Sequence, residues 1–151
     1  MEIGYLEDIV VGEEIDLGVH EVTEGEIIDF ARRYDPQPFH VDPAAAERSI
    51  FGGLVASGMH TLSLFMRLAV DGFLSHMDSL GSPGIESVAF PAPLRPGNLL
   101  TGRIEIVEAR PSSHHPERGV VKWRGRGRTS ADELVLDLFF VNLFGRRRSS
   151  G

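Results

Sequence analysis

The sequence predicts an α+β protein in which a curved antiparallel sheet wraps around one long, apolar helix. Two observations carry this prediction. The segment from Ser57 to His76 would be apolar over most of its circumference as a helix, so other elements must cover it. The chain that follows consists of β-rich segments separated by clusters of Pro, Gly, Ser and His. No repeat or long linker divides the 151 residues, so we expect one domain over residues 1–145 and a basic, disordered tail at 146–151.

The first elements are a strand and a capped helix. Loose alternation of apolar and polar residues predicts a strand that ends near Val22. Thr23 and Glu26 have the spacing of a capping box, in which each side chain accepts a hydrogen bond from the backbone of the other residue. The helix they start must end at Asp35, because a residue before proline is driven out of the helical region.

The remaining elements follow from changes in the hydrophobic period. Asp42 and Pro43 form an N-cap and first helical residue, which predicts a second short helix. Gly52 and Gly53 interrupt the chain before the long helix begins. Four strands are then expected, at residues 85–90, 99–109, 119–128 and 134–144.

Composition and charge exclude several classes of function. The sequence has no cysteine, which excludes disulfide frameworks, cysteine nucleophiles and thiolate metal sites. The net charge of −7 argues against general binding to nucleic acid. We find no signal peptide and no membrane span, and expect a cytoplasmic protein that does not bind a membrane. His114 and His115 lie in a Ser/Pro-rich turn and are expected to face water, so no metal site is predicted.

Basic residues are concentrated in the second half of the chain. Residues 1–75 carry a net charge of −10, and residues 76–151 a net charge of +3. Arg124, Arg126 and Arg128 alternate along a predicted strand and therefore share one face. This row is either a solvated strand face or a docking surface for the phosphates of an anionic ligand.

The segment from Asp35 to His40 carries the strongest chemical pattern. Pro36 and Pro38 stiffen the connection that leaves the first helix. A carboxylate and an imidazole held on a stiff connection can take a proton from water and return one to carbon. Alternatively, Asp35 caps local backbone and His40 fills a loop.

This segment resembles the hydratase-2 motif of the MaoC-like dehydratases, the (R)-specific enoyl-CoA hydratases, which reads Asp-x-Asn-Pro-(aliphatic)-His. Asp35, Pro38 and His40 match the motif position by position. The likeness extends over most of the chain, with further matches at Tyr34, Asp42, Phe51-Gly52-Gly53, Ala56-Ser57-Gly58-Met59 and Phe90 to Pro96-Gly97.

The resemblance implies a hot-dog fold and a homodimer, or a dimer of dimers, that binds an acyl-CoA thioester near the subunit interface. It implies reversible addition of water to an enoyl-CoA, giving an (R)-3-hydroxyacyl-CoA, with no cofactor. Carried over by motif, Asp35 and His40 activate the water. The backbone N–H of Gly58 stabilises the thioester enolate, although this glycine is also explained by close packing of helix against sheet.

Substrate-binding roles are expected for Gln37, Phe39, Phe51 and Ser57. Gln37 and Phe39 depart from the motif, which has asparagine and an aliphatic residue there, and Ser57 replaces a histidine common in the family. Gln37 is expected to orient His40 or to contact the thioester. Phe39 and Phe51, with Phe65 and Phe73, would shorten the acyl pocket unless they belong to the core.

Two other functions are compatible with the same fold. A hot-dog thioesterase would hydrolyse the acyl-CoA and would need a carboxylate on or beside the long helix, where Asp71 and Glu47 are the nearest choices. A non-catalytic acyl-CoA-binding subunit would not need both Asp35 and His40.

Overall fold

A computed structural model describes residues 2–148 and confirms the α+β prediction. Five strands form one antiparallel sheet in the order β1-β3-β4-β5-β2. The strands are β1 (Glu14–Glu21), β2 (Ser79–Ala89), β3 (Leu99–Pro111), β4 (Arg118–Arg128) and β5 (Leu134–Gly145). The helices are α1 (Glu24–Tyr34), α2 (Pro38–Val41), α3 (Pro43–Glu47) and α4 (Gly58–Gly72). Short 3-10 turns lie at Leu6–Asp8 and Leu74–His76.

The long helix packs one face against the sheet. Phe65 of α4 is fully buried, and its ring stacks on Trp123 of β4 with 6.4 Å between ring centroids. Gly102 and Gly125 make room for it, since a Cβ on Gly125 would lie 2.7 Å from the Phe65 ring. The predicted arrangement of a sheet around one long helix is thus confirmed, while Met59 in the first turn of α4 remains 50% exposed.

The edge strand β2 begins earlier than the sequence predicts. The sequence predicts the start of this strand at residue 85, after a cluster of Gly, Ser and Pro at residues 81–84. The structure extends the strand back to Ser79, with shifts in its register against β5 between Ser79 and Gly81 and between Gly81 and Gly84. Both glycines have positive φ angles. An edge strand tolerates such irregularities and a proline better than a central strand does.

The segment after β5 lies beside the 3-10 turn at Leu6–Asp8. Of the predicted tail, residues 149–151 lie outside the described residues. Arg146 contacts Glu7 at 3.4 Å, and Arg147 contacts Asp8 at 2.6 Å. Within residues 2–148, no helix has the length and apolar character needed to span a membrane. The single-domain boundary at residue 145 stays a prediction.

The segment between α1 and α4 lies over a second part of the core. This segment carries α2 and α3 and contributes Ala46, Leu54 and Ala56 to a cluster of nine buried apolar residues. The other six are Val22, Ile27, Leu68, Leu94, Leu100 and Val135. Side chains on the segment are thereby fixed against the start of α4.

Candidate active site

Asp35 is placed by the end of α1. The helix begins at the predicted capping box, in which Thr23 Oγ1 accepts from the Glu26 N–H at 3.2 Å and Glu26 Oε1 accepts from the Thr23 N–H at 3.0 Å. It ends at Asp35, whose N–H still donates to the Ala31 carbonyl at 2.8 Å. Pro36 then turns the chain, so the carboxylate leaves the helix at its C-terminal cap.

His40 lies on α2, a single helical turn where the sequence suggested a loop. Pro38 occupies the first turn of α2, where its missing N–H costs nothing. The imidazole is buried, and His40 Nδ1 donates to the Val55 carbonyl at 2.6 Å. Because a carbonyl oxygen only accepts, Nδ1 carries the hydrogen and Nε2 is the nitrogen that faces Asp35. His40 Nε2 lies 3.4 Å from Asp35 Oδ2.

Two uncharged donors bind the Asp35 carboxylate. Gln37 Nε2 donates to Oδ1 and Ser57 Oγ donates to Oδ2, each at 2.7 Å. Burial, the largest single influence, acts to raise the pKa of Asp35. The hydrogen bonds from Ser57 and Gln37, with the nearby His40, outweigh it and lower the pKa of Asp35 below its ordinary 3.8. The carboxylate is therefore ionised at neutral pH.

The start of α4 forms the other side of the site. Ser57 is fully buried and caps the helix, its Oγ accepting from the Met59 N–H at 3.2 Å. Gly58 is the first residue of α4, and its N–H has no acceptor within residues 2–148. A free N–H at the positive end of a helix is suited to an oxygen that gains negative charge during a reaction.

Phe90 explains why residue 58 is a glycine. A Cβ on Gly58 would lie 2.7 Å from Phe90 Cε2, closer than real Cβ atoms come to their neighbours. Phe90 follows β2 directly, so the ring covers the first turn of α4 from the sheet edge. Close packing and a free N–H are both present at this position.

All seven residues predicted for the site line one cavity of about 420 Å³. Asp35, Gln37, Phe39, His40, Phe51, Ser57 and Gly58 share it with ten further residues, Val55, Ala56, Met59, Thr61, Phe90, Pro91, Ala92, Pro93, Leu94 and Val135. The Phe39 ring contacts His40 edge-on at 4.6 Å and Phe51 at 5.2 Å.

Sequence reasoning assigned no role in the site to Val55 or Phe90. The carbonyl of Val55 orients His40, and no sequence pattern identifies a backbone oxygen fifteen residues away. Phe90 was found only as a match to the family. Its place beside Gly58 depends on how β2 pairs with β5, which a single sequence does not specify.

Phe65 and Phe73, in contrast, do not line this cavity. Both are core residues, since Phe65 stacks on Trp123 and Phe73 packs edge-on against Phe144 at 5.8 Å.

The arginine row lies on the face of the sheet opposite α4. Arg124, Arg126 and Arg128 alternate with buried residues along β4, as predicted. Arg124 is bound by Asp137 and Arg128 lies 3.7 Å from Asp132. Two of the three guanidinium groups therefore already pair with carboxylates. This holds both for a solvated strand face and for a docking surface for phosphates.

Comparison with known proteins identifies the family. A model described as "MaoC like domain" matches residues 9–122, three quarters of the sequence. The chain belongs to the MaoC-like domain family. A MaoC-like dehydratase from Rhodospirillum rubrum superimposes with a TM-score of 0.89 at 36% identity, over 96% of this chain and 99% of that one. The 3-hydroxybutyryl-CoA dehydratase of Methylorubrum extorquens is 28% identical over 142 residues, covering 91% of this chain and 82% of the relative.

The MaoC-like fold extends beyond the residues that the family model matches. β5 begins after residue 122, yet the R. rubrum structure covers it. An (R)-hydratase from Pseudomonas aeruginosa shares the fold with a TM-score of 0.76 at 22% identity, over 95% of this chain and 86% of that one. The expectation of a hot-dog fold is thus confirmed.

Proposed function

We propose that this MaoC-like protein catalyses the reversible addition of water to the 2,3-double bond of an enoyl-CoA, giving an (R)-3-hydroxyacyl-CoA. The observation that carries the proposal is the meeting of Asp35 and His40 at 3.4 Å in a cavity that also contains the free N–H of Gly58. A pair of groups that exchange protons and a donor for a developing oxyanion are the parts that this reaction needs.

The chemistry divides between the two sides of the cavity. Asp35 and His40 together hold the water, whose oxygen forms a bond to C3 while its proton is taken up by the pair. Electron density from the double bond moves onto the thioester oxygen, where the Gly58 N–H stabilises the enolate. A proton from the pair then goes to C2, so the overall change adds the elements of water and needs no electron carrier.

Asp71 and Glu47, the carboxylates that a thioesterase could use, are not placed for catalysis in this cavity. Asp71 is bound by Arg67 at 2.8 Å on an exposed face of α4, where both side chains are more than half exposed. Glu47, at the end of α3, does not line the cavity of Asp35 and His40.

A homodimer joined through β2 is the assembly we propose. Every residue of this edge strand is exposed, including Leu80, Ile85 and Val88. An unpaired strand edge that exposes apolar side chains is a site of association in solution, and a second copy of the same strand would cover it. Phe90 follows the strand directly, so such a partner would border the cavity. Sedimentation of the wild type as a dimer, and of Ile85→Lys as a monomer, is the expected result.

The test of the activity is the loss of enoyl-thioester ultraviolet absorbance with crotonyl-CoA and a panel of longer and branched enoyl-CoAs. Chiral analysis should identify the product as the (R)-3-hydroxyacyl-CoA, and thiol reagent should detect no free CoA. Asp35→Asn and His40→Ala should each abolish the loss of absorbance. Asp71→Asn is the matched control and should keep the wild-type rate.

Release of free thiol without hydration would replace this proposal with a thioesterase. Tight binding of acyl-CoA without turnover of any member of the panel would replace it with an acyl-CoA-binding subunit.

A further inference from the structure

We propose that Ser57 and Gln37 are positioning residues that hold the Asp35 carboxylate, as an anion, in the orientation that faces His40. The sequence predicts substrate-binding roles for both, with Gln37 expected to orient His40 or to contact the thioester. The inference deepens the proposed function and rests on it where it concerns turnover. It concerns the donors on Asp35 itself, which are present in the free protein.

The contacts account for both oxygens of the carboxylate. Gln37 Nε2 lies 2.7 Å from Oδ1 and Ser57 Oγ lies 2.7 Å from Oδ2, the lengths typical of hydrogen bonds to an ionised acceptor. Within residues 2–148, His40 is the titratable side chain that contacts Asp35, and no lysine or arginine forms an ion pair with it. The anion is therefore held by neutral dipoles.

Asp35 needs this support because its position disfavours a negative charge. It caps the C-terminus of α1, where unpaired carbonyls give the helix end a partial negative charge. Its side chain is also only 23% exposed, so it has lost much of its hydration. Two hydrogen bonds that favour the charged form offset both effects.

The single donor hydrogen of the Ser57 hydroxyl is already used by the protein. Its oxygen accepts from the Met59 N–H as the cap of α4, and its one hydrogen is donated to Asp35. Ser57 is fully buried, so it would have to release Asp35 in order to bind substrate through this hydrogen. The same arrangement links the positive end of the fifteen-residue helix α4 to the anion.

The experiment measures the Asp35 carboxyl directly, by ¹³C NMR titration of the substrate-free protein, with Asp35→Asn used to assign its resonance. Ser57→Ala and Gln37→Met should each raise the pKa of Asp35, since each removes a donor that favours the anion. If the protein is a hydratase, kcat should fall about 10- to 100-fold while KM changes by less than about threefold, as for loss of a hydrogen bond to a charged group.

Thr23→Ala is the matched control for Ser57→Ala. Thr23 is also a serine/threonine N-cap, of α1, and it does not contact Asp35. This variant should leave the Asp35 titration and kcat unchanged. If Ser57→Ala does not fold, Gln37→Met supplies the same test at an exposed position.

An unchanged Asp35 titration in the folded variants would overturn the inference, as would a large rise in KM at constant kcat. The two proposals fail separately. A shifted titration in a protein without hydratase activity would leave the positioning role standing and remove the proposed function. Normal hydration with an unshifted Asp35 titration would leave the proposed function standing and remove the positioning role.

Discussion

Two aspartates with similar exposure are held in opposite ways. The side chains of Asp35 and Asp137 are 23% and 22% exposed, and the pKa of each is lowered. Asp137 accepts two hydrogen bonds from Arg124, at 3.0 and 2.8 Å, and these are the main cause of its lowered pKa. Asp35 accepts from Gln37 and Ser57, which carry no charge.

The difference shows how a protein keeps an anion available for chemistry. A bidentate guanidinium neutralises Asp137 and fixes it as part of the sheet surface. Neutral donors stabilise the charge of Asp35 without cancelling it, so the carboxylate still attracts a proton or a cationic imidazole. His40, at 3.4 Å, is positioned to use that charge.

An arginine partner for Asp35, like the one that binds Asp137, should slow the hydration reaction. Gln37 is exposed and its amide already contacts Oδ1, so an arginine at this position has room to form an ion pair. We expect Gln37→Arg to lower the pKa of Asp35 further and to slow hydration by about 10- to 100-fold, the effect of one charge-assisted bond. Gln37→Met shifts the pKa the other way. An arginine variant with the wild-type rate would remove the distinction between the two aspartates.

The pH dependence of the free energy of unfolding should report the lowered pKa of both aspartates. A carboxyl with a lowered pKa contributes stability that is present above its unfolded value, near 3.8, and is lost as the pH falls through the folded pKa. Urea unfolding between pH 6 and pH 2.5 should therefore show a shallower acid decline in Asp35→Asn and in Asp137→Asn than in the wild type. A decline as steep as that of the wild type in either variant would contradict the lowered pKa of that aspartate.

The smallest effect is expected from the partner of Asp137. Arg124→Gln removes a partly buried ion pair at the sheet surface and should lower the free energy of unfolding by about 0.5–1 kcal/mol. Hydration should stay within about twofold of the wild type, because this pair lies on the sheet face opposite α4. The measurements are urea unfolding and the crotonyl-CoA assay, and a tenfold loss of rate would show that the outer face contributes to catalysis.

The sequence predicted the elements with regular patterns and missed those defined by contacts between distant parts of the chain. Predicted strands at 99–109, 119–128 and 134–144 agree with β3, β4 and β5 within two residues. The long helix stops at Gly72 rather than His76, and the tighter turn at Leu74–His76 continues the chain. β2 was predicted to start six residues too late, because its pairing with β5 overrides local signals from glycine and proline.

The site shows the same division. The local motif predicted that Asp35 and His40 lie together, because both belong to one stiff segment of six residues. That Ser57 donates to Asp35 depends on how α4 docks against α1, twenty-two residues away in the chain. Gln37 was expected to orient His40 or to contact the thioester, and its contact with Asp35 depends on how its side chain turns back toward the helix end.

The most direct test is the rate of crotonyl-CoA hydration by the wild type, Asp35→Asn and Asp137→Asn, measured side by side. Both substitutions remove one carboxylate of similar exposure, so they differ only in which aspartate is lost. We predict a fall of about 10³-fold or more for Asp35→Asn, as expected for loss of a proton-transfer group, and a rate within about threefold of the wild type for Asp137→Asn. Equal rates for the two variants would contradict the assignment of Asp35 as the working anion of the site.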